Sequence, residues 1–195
     1  MKLEEIYKPV SDDLKALDEL LKSTLGESQN VAVSRMGAAL LESPGKRMRP
    51  ALVFLCQRAG CESETNAYDR QELAEAAAAV ELIHIASLIH DDVLDEASLR
   101  HNRPTVNNRY GDDISIVLGD YVYSMAFQLI RRKGNGGVFS CISEAIHQMC
   151  EGELIHVCQR RNLDLSEKDY IMIAEKKTAS LFGASCLMGA IIGDQ

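Results

Sequence analysis

At 195 residues, with 46% hydrophobic and 26% charged residues, the chain is long enough for one globular domain with a substantial core. A net charge of −8 argues against a nucleic-acid binder held by phosphate neutralisation. No apolar run of about 18 residues and no signal-peptide-like N-terminal segment is present, so we expect a cytoplasmic protein without a transmembrane segment. Six cysteines (Cys56, Cys61, Cys141, Cys150, Cys158 and Cys186) form no CxxC pair, and several fall on apolar helix faces. Buried reduced thiols are the expected reading, ahead of zinc or disulfides. Alanine-rich runs and the near absence of strand signals predict an all-α fold.

Residues 3–25 carry apolar positions at helical spacing, with Pro9 and Ser11 marking a restart capped near Ser11. A second helix is expected over 30–42. Ser43-Pro44-Gly45 then punctuates a loop, and Lys46, Arg47 and Arg49 precede Pro50 at the start of a third helix. Three cations at a helix start are placed to meet an anion, with the backbone N–H groups adding to the field. Residues 61–69 read as a polar connection.

The next helix, about 69–95, is apolar all round between Leu73 and Ile89, and so should be buried among others. His84, Ser87, Leu88, Asp91 and Asp95 share one face, and Asp92 sits about 100° round from Asp91. Carboxylates at i and i+4, about 6 Å apart, repel unless a hard divalent cation lies between them. Arg100, His101 and Arg103 follow in a loop over 100–113. Acid for a metal beside base for a phosphate suggests a metal–diphosphate site.

A helix over 112–132 ends in basic residues, as the dipole prefers. Gly134–Gly137 reads as a plain turn, lacking the strand and the Lys-Ser/Thr of a phosphate loop. A helix over 138–161 follows, in which Glu151, Gly152 and Glu153 interrupt the apolar pattern and could face either site or solvent. Ser166 caps a last helix over 167–192 that contains Lys176-Lys177-Thr178. Long helices on short turns predict an antiparallel bundle around a central cavity, as a single domain over 1–195.

Four motifs in order resemble the trans-isoprenyl diphosphate synthase (polyprenyl synthetase) family. Gly45-Lys46-Arg47-Met48-Arg49-Pro50 is similar to its GKRxRP segment, and Asp91-Asp92-Val93-Leu94-Asp95 to its first DDxxD motif, with His84 upstream. Arg100-His101-Asn102 stands where the family has Arg-Arg-Gly, and Lys177-Thr178-Ala179 with Leu181-Phe182 looks like KTAxLF. Gly119-Asp120-Tyr121 is similar to GDxL.

The resemblance implies an isoprenoid-synthase bundle in which Mg²⁺ on Asp91 and Asp95, with Asp92 beside them, holds an allylic diphosphate. Arg100, Lys177 and Thr178 would contact that diphosphate. Lys46, Arg47, Arg49, His84 and His101 would line the site for isopentenyl diphosphate, which attacks the allylic cation to give a chain five carbons longer. His101 replaces an Arg and is only partly charged near neutral pH, which makes this contact weaker and pH-dependent. Ala86 and Ser87, below the aspartates, are small where bulk makes a floor in the family, so a product of C20 or longer is expected. A homodimer is implied, and a heteromer is the alternative.

The family's second aspartate-rich motif has no counterpart here. Asp194 alone cannot stand in, and Asp112-Asp113 lacks the spacing. The expectation is therefore a fragment of a full synthase, or a short partner subunit, with little activity in isolation. Two rival readings are a non-catalytic subunit of a heteromeric synthase and a terpene cyclase-like or head-to-head condensing enzyme. Retention of Lys46, Arg49, His84, Asp91, Asp95, Arg100 and Lys177 counts against the first. The GKRMRP segment counts against the second, because a cyclase takes no isopentenyl diphosphate.

Overall fold

Leucine and alanine at helical spacing fold nearly all of this chain into helices; the computed structural model describes residues 2–42, 45–60, 69–131 and 135–194. The elements are α1 (Leu3–Tyr7), α2 (Ser11–Gly26), α3 (Val31–Ala39), α4 (Met48–Gly60) and α5 (Arg70–Leu94). A two-stranded hairpin follows, β1 (Leu99–Arg100) and β2 (Arg103–Pro104), then α6 (Val106–Tyr110), α7 (Asp112–Arg131), α8 (Gly136–Gln159), α9 (Glu167–Ala174) and α10 (Ser180–Gly193). The turn at Ser43-Pro44, the connection over 61–68 with Cys61, and Arg132–Gly134 lie outside the described residues.

Side-chain caps set the boundaries. Asp69 accepts from the N–H groups of Gln71 (2.9 Å) and Glu72 (3.2 Å) at the start of α5. Asn135 does the same for Gly137 and Val138, which starts α8 two residues earlier than the apolar pattern indicates. Ser166 accepts from Asp169 N–H at 3.2 Å, as the sequence predicts. Ser11 is the first residue of α2 rather than its cap, because Pro9 tightens Lys8–Val10 into a 3₁₀ turn that joins α1 to α2.

Two further departures concern the site. The 100–113 loop contains the hairpin and α6, and His101 (φ 50°) and Asn102 (φ 62°) both take left-handed backbone at the hairpin tip. Two central residues of positive φ are what a type I′ turn needs, and Asn supplies one readily. The predicted helix over 167–192 is interrupted by a π-helical turn at Glu175–Ala179, between α9 and α10.

The buried α5 is the hub, packing against α2, α4, α6, α7, α8 and α10. Ala76–Ala79 are at most 2% exposed, so their small side chains let neighbouring helices approach closely. The helix is long and apolar enough to cross a membrane, but 67% of that stretch is buried inside the bundle, as in a core helix. Gly119 of α7 lies against His90 near the end of α5, while Leu129 and Ile130 border Glu72 and Ala76 near its start. The two helices are therefore antiparallel. By contrast α4 and α10 run in the same direction, with Gly189 against Val53 and Gly193 against Gln57.

Candidate diphosphate and metal site

Two faces of α5 carry the chemistry, and they adjoin. The first looks into a cavity of about 640 Å³ walled by the end of α3, residues 45–47, the start of α4, the hairpin and α6. On α5 this wall is Glu81, His84, Ile85, Leu88, Ile89 and Asp92, a helical stripe with an apolar middle and polar ends. The second face carries Asp91 and Asp95 and looks towards α8 and the π-helical turn.

At the cavity's polar end the three cations around Met48 separate by environment. Lys46 is exposed, and its carbonyl accepts from the Tyr7 hydroxyl at 2.9 Å, which ties the loop to α1. Arg47 has left-handed backbone (φ 51°), and its guanidinium is held by Asp18 (3.0 Å) and by Glu81 (2.6 Å). The Arg47 and Glu81 side chains are 10% and 5% exposed, so this pair fixes the loop on α5 rather than offering a free charge. Arg49 is different: its guanidinium lies 4.3 Å from the centre of the Phe182 ring, and its buried Nε has no hydrogen-bond partner. Burial pushes its pKa down, with Glu81 opposing. A desolvated cation on a cavity wall with an unmet donor is suited to an anionic ligand.

Arg100 reaches Asp92 Oδ1 through Nε and Nη2, both at 2.9 Å. The Asp92 side chain is only 7% exposed, so this aspartate anchors the hairpin cation to the cavity wall rather than facing Asp91 and Asp95. His101, exposed at the hairpin tip, also lines the cavity. His84 stands among the cations. Burial first, then Arg49, Arg100 and Arg47, push its imidazole down to about 4, so it is neutral near pH 7.

On the second face, Lys177 Nζ lies 3.5 Å from Asp91 Oδ2 and forms a shorter ion pair with Glu153. Arg160, at the end of α8, pairs with Asp95 and donates to the Leu94 carbonyl at 2.7 Å. Burial raises the Asp91 carboxyl above its usual range; Lys177 opposes this, while Glu153 and Asp95 push the same way. A buried Asp91 carboxylate beside Asp95, each held by a cation of the protein, is chemically suited to a hard divalent ion. Among the described residues no three His, Cys, Asp or Glu side chains form a metal cage. Asp91 and Asp95 would therefore supply two carboxylates and leave other positions to water and phosphate, which is how Mg²⁺ is commonly bound. Thr178 is exposed on the same π-helical turn as Lys177.

The structure thus brings Arg49, His84, Arg100 and His101 to one cavity and Asp91, Asp95 and Lys177 to the adjoining face. It puts neither Ala86 nor Ser87 on the cavity wall. Ala86 is fully buried in the core, and the half-buried Ser87 gives its hydroxyl to the His84 carbonyl at 2.8 Å. Glu153 faces the site and Glu151 pairs with Lys176 at its rim (2.5 Å), which settles what the apolar pattern left open. Arg160 and the π-helical turn have no signal in the sequence, because both depend on where α8 ends against α5 and α10.

A family model described as Polyprenyl synthetase matches residues 30–195. Heptaprenyl diphosphate synthase component 2 of Geobacillus stearothermophilus is 34% identical over 191 residues, covering 98% of this chain and 58% of that protein. Octaprenyl diphosphate synthase of Escherichia coli (strain K12) is 30% identical over 192 residues, covering 98% and 57%. Among solved structures, polyprenyl synthase from Caulobacter crescentus CB15, complexed with calcium and isoprenyl diphosphate, superposes with a TM-score of 0.90 at 27% identity, covering 100% of this chain and 57% of that one. Decaprenyl diphosphate synthase from Rhodobacter capsulatus gives 0.88 at 32%, covering 98% and 57%. The chain spans about half the length of the curated relatives it matches.

Proposed function

This chain belongs to the polyprenyl synthetase family, and from that premise we propose a Mg²⁺-dependent prenyltransferase that condenses isopentenyl diphosphate with an allylic diphosphate. Arg49 carries the reading: a buried guanidinium with an unsatisfied Nε beside His84 and Arg100, one helical stripe away from Asp91 and Asp95. Lys46, Arg49, His84 and His101 bind the isopentenyl diphosphate, while Arg47 holds the loop that presents Lys46 and Arg49. Lys177 and Thr178 meet the allylic diphosphate, with Arg100 between the two groups. Asp91 and Asp95 would hold Mg²⁺, which when bound would supply charge neutralisation for a leaving diphosphate. The fixed cations of Lys177 and Arg100 favour the same developing charge, so the allylic C–O bond breaks to leave an allylic cation. The isopentenyl double bond attacks that cation, one C–C bond forms, and a proton and a diphosphate are released. The apolar residues Ile85, Leu88 and Ile89 line the middle of the cavity wall, where a prenyl chain would lie. Family membership supports reading the protein as a cytoplasmic homodimer.

The test is isothermal titration with inorganic diphosphate, with and without Mg²⁺, followed by mass spectrometry of products from isopentenyl and allylic diphosphates. Arg49→Gln should weaken diphosphate binding at least tenfold. Absence of both binding and product would overturn the proposal. A second reading, in which the chain acts as one component of a two-component synthase, is favoured by the printed name of the Geobacillus relative. Product that forms only after a second polypeptide is added would select it.

A further inference from the structure

Lys177 is held from two sides, and the two anions are not equivalent. Asp91 Oδ2, at 3.5 Å, belongs to the stripe that a divalent cation would take. Glu153 comes from α8, makes the closer ion pair, and has a side chain only 16% exposed. Its other oxygen, Oε1, faces His156 Nδ1 at 3.4 Å. Backbone packing fixes this contact. A Cβ on Gly152 would lie 2.7 Å from the Lys177 backbone nitrogen, so α8 abuts the π-helical turn directly. The two lysines of the turn straddle that point, Lys176 bonded to Glu151 and Gln148 (2.5 and 2.7 Å) and Lys177 paired with Glu153.

An ammonium and a divalent cation compete for Asp91, since each repels the other at close range. We infer that Glu153 is the positioning residue that keeps Lys177 at the diphosphate side when Asp91 is given up to a metal, so that one face holds both positive charges. The inference rests on the function proposed above and adds to it a residue outside the family motifs identified in the sequence. Without the Glu153 charge, Lys177 would fall back on Asp91, and a metal would have to displace it.

The probe is Mn²⁺ alone, read by electron paramagnetic resonance of the free ion without diphosphate, which chelates Mn²⁺ and which Lys177 itself contacts; diphosphate binding is titrated separately. Glu153→Gln should weaken Mn²⁺ binding about tenfold with little change in thermal unfolding, whereas Lys177→Gln alone should tighten it. The double variant should bind Mn²⁺ as Lys177→Gln does, because the competing ammonium is gone. A loss that persists in the double variant would make Glu153 itself a ligand or a purely structural residue, and would overturn the inference. So would unchanged binding in Glu153→Gln. A wild-type chain that binds neither Mn²⁺ nor diphosphate would instead remove the proposed function, and the inference with it.

Discussion

Among the side chains that line the cavity, His84 is held far from its ordinary state. It lies two turns before Asp91 on α5, where burial first, and then the charges of Arg49, Arg100 and Arg47, hold its imidazole down. Its folded pKa of about 4 lies below the ordinary 6.5, so between those values the unfolded chain binds more protons than the folded one. Stability from this residue is therefore complete above pH 6.5 and is lost as pH falls through 4. The expected outcome is a component of up to about 3 kcal/mol in urea-unfolding free energy that disappears over that window. His84→Gln should remove this component, and the same pH profile in the variant would contradict the assignment. Residue types were legible here, since a His seven places before a DDxxD invites a functional reading. Their pairings were not: Arg47 and Arg49 look alike in sequence, but only Arg47 meets buried Glu81.

Between elements, close approach decides more than propensity. Helices α4 and α10 touch through glycine, and a Cβ on Gly189 would lie 2.2 Å from the Val53 carbonyl oxygen. Gly183, one and a half turns earlier on the same helix, has nothing within 4 Å of the equivalent point. Gly189→Ala should therefore destabilise the fold by about 1–3 kcal/mol through overpacking. Gly183→Ala should be neutral or stabilising by up to about 1 kcal/mol through helix propensity. Differential scanning calorimetry of the two variants checks this, and equal effects would show that the helices separate at no cost. The π-helical turn follows the same logic. It carries Lys176 and Lys177 past Gly152 at contact distance, and π turns recur at functional sites for such local re-aiming.

Over the whole molecule, α5 both fills the core and carries the site, so changes at its buried face reach the chemistry. Ala86 is fully buried, one turn before His90, whose ring lies 5.9 Å from that of Tyr123 on α7. On our reading, a growing prenyl chain follows the apolar wall of Ile85, Leu88 and Ile89, and bulk at the adjoining position 86, although off that wall, would press α5 into its path. Ala86→Phe should shift products to shorter chains, measured by chromatography of the dephosphorylated alcohols in a preparation whose circular dichroism matches wild type. An unchanged product length would show that the chain takes another path.

The sequence by itself determined the all-helical class, the central helix, the Ser166 cap, and the family to which the chain belongs. These rest on local periodicity, on short-range capping chemistry and on motifs whose spacing survives without coordinates. Tertiary structure decided which cations are free and which are locked, that Asp92 serves Arg100, and that Glu153 turns inward beside Lys177. It also decided that Ala86 and Ser87 lie off the cavity wall. The reason is physical: periodicity assigns a residue to a face of its own helix. What that face meets depends on the packing of other helices, whose contact distances are set by residues far away in the chain.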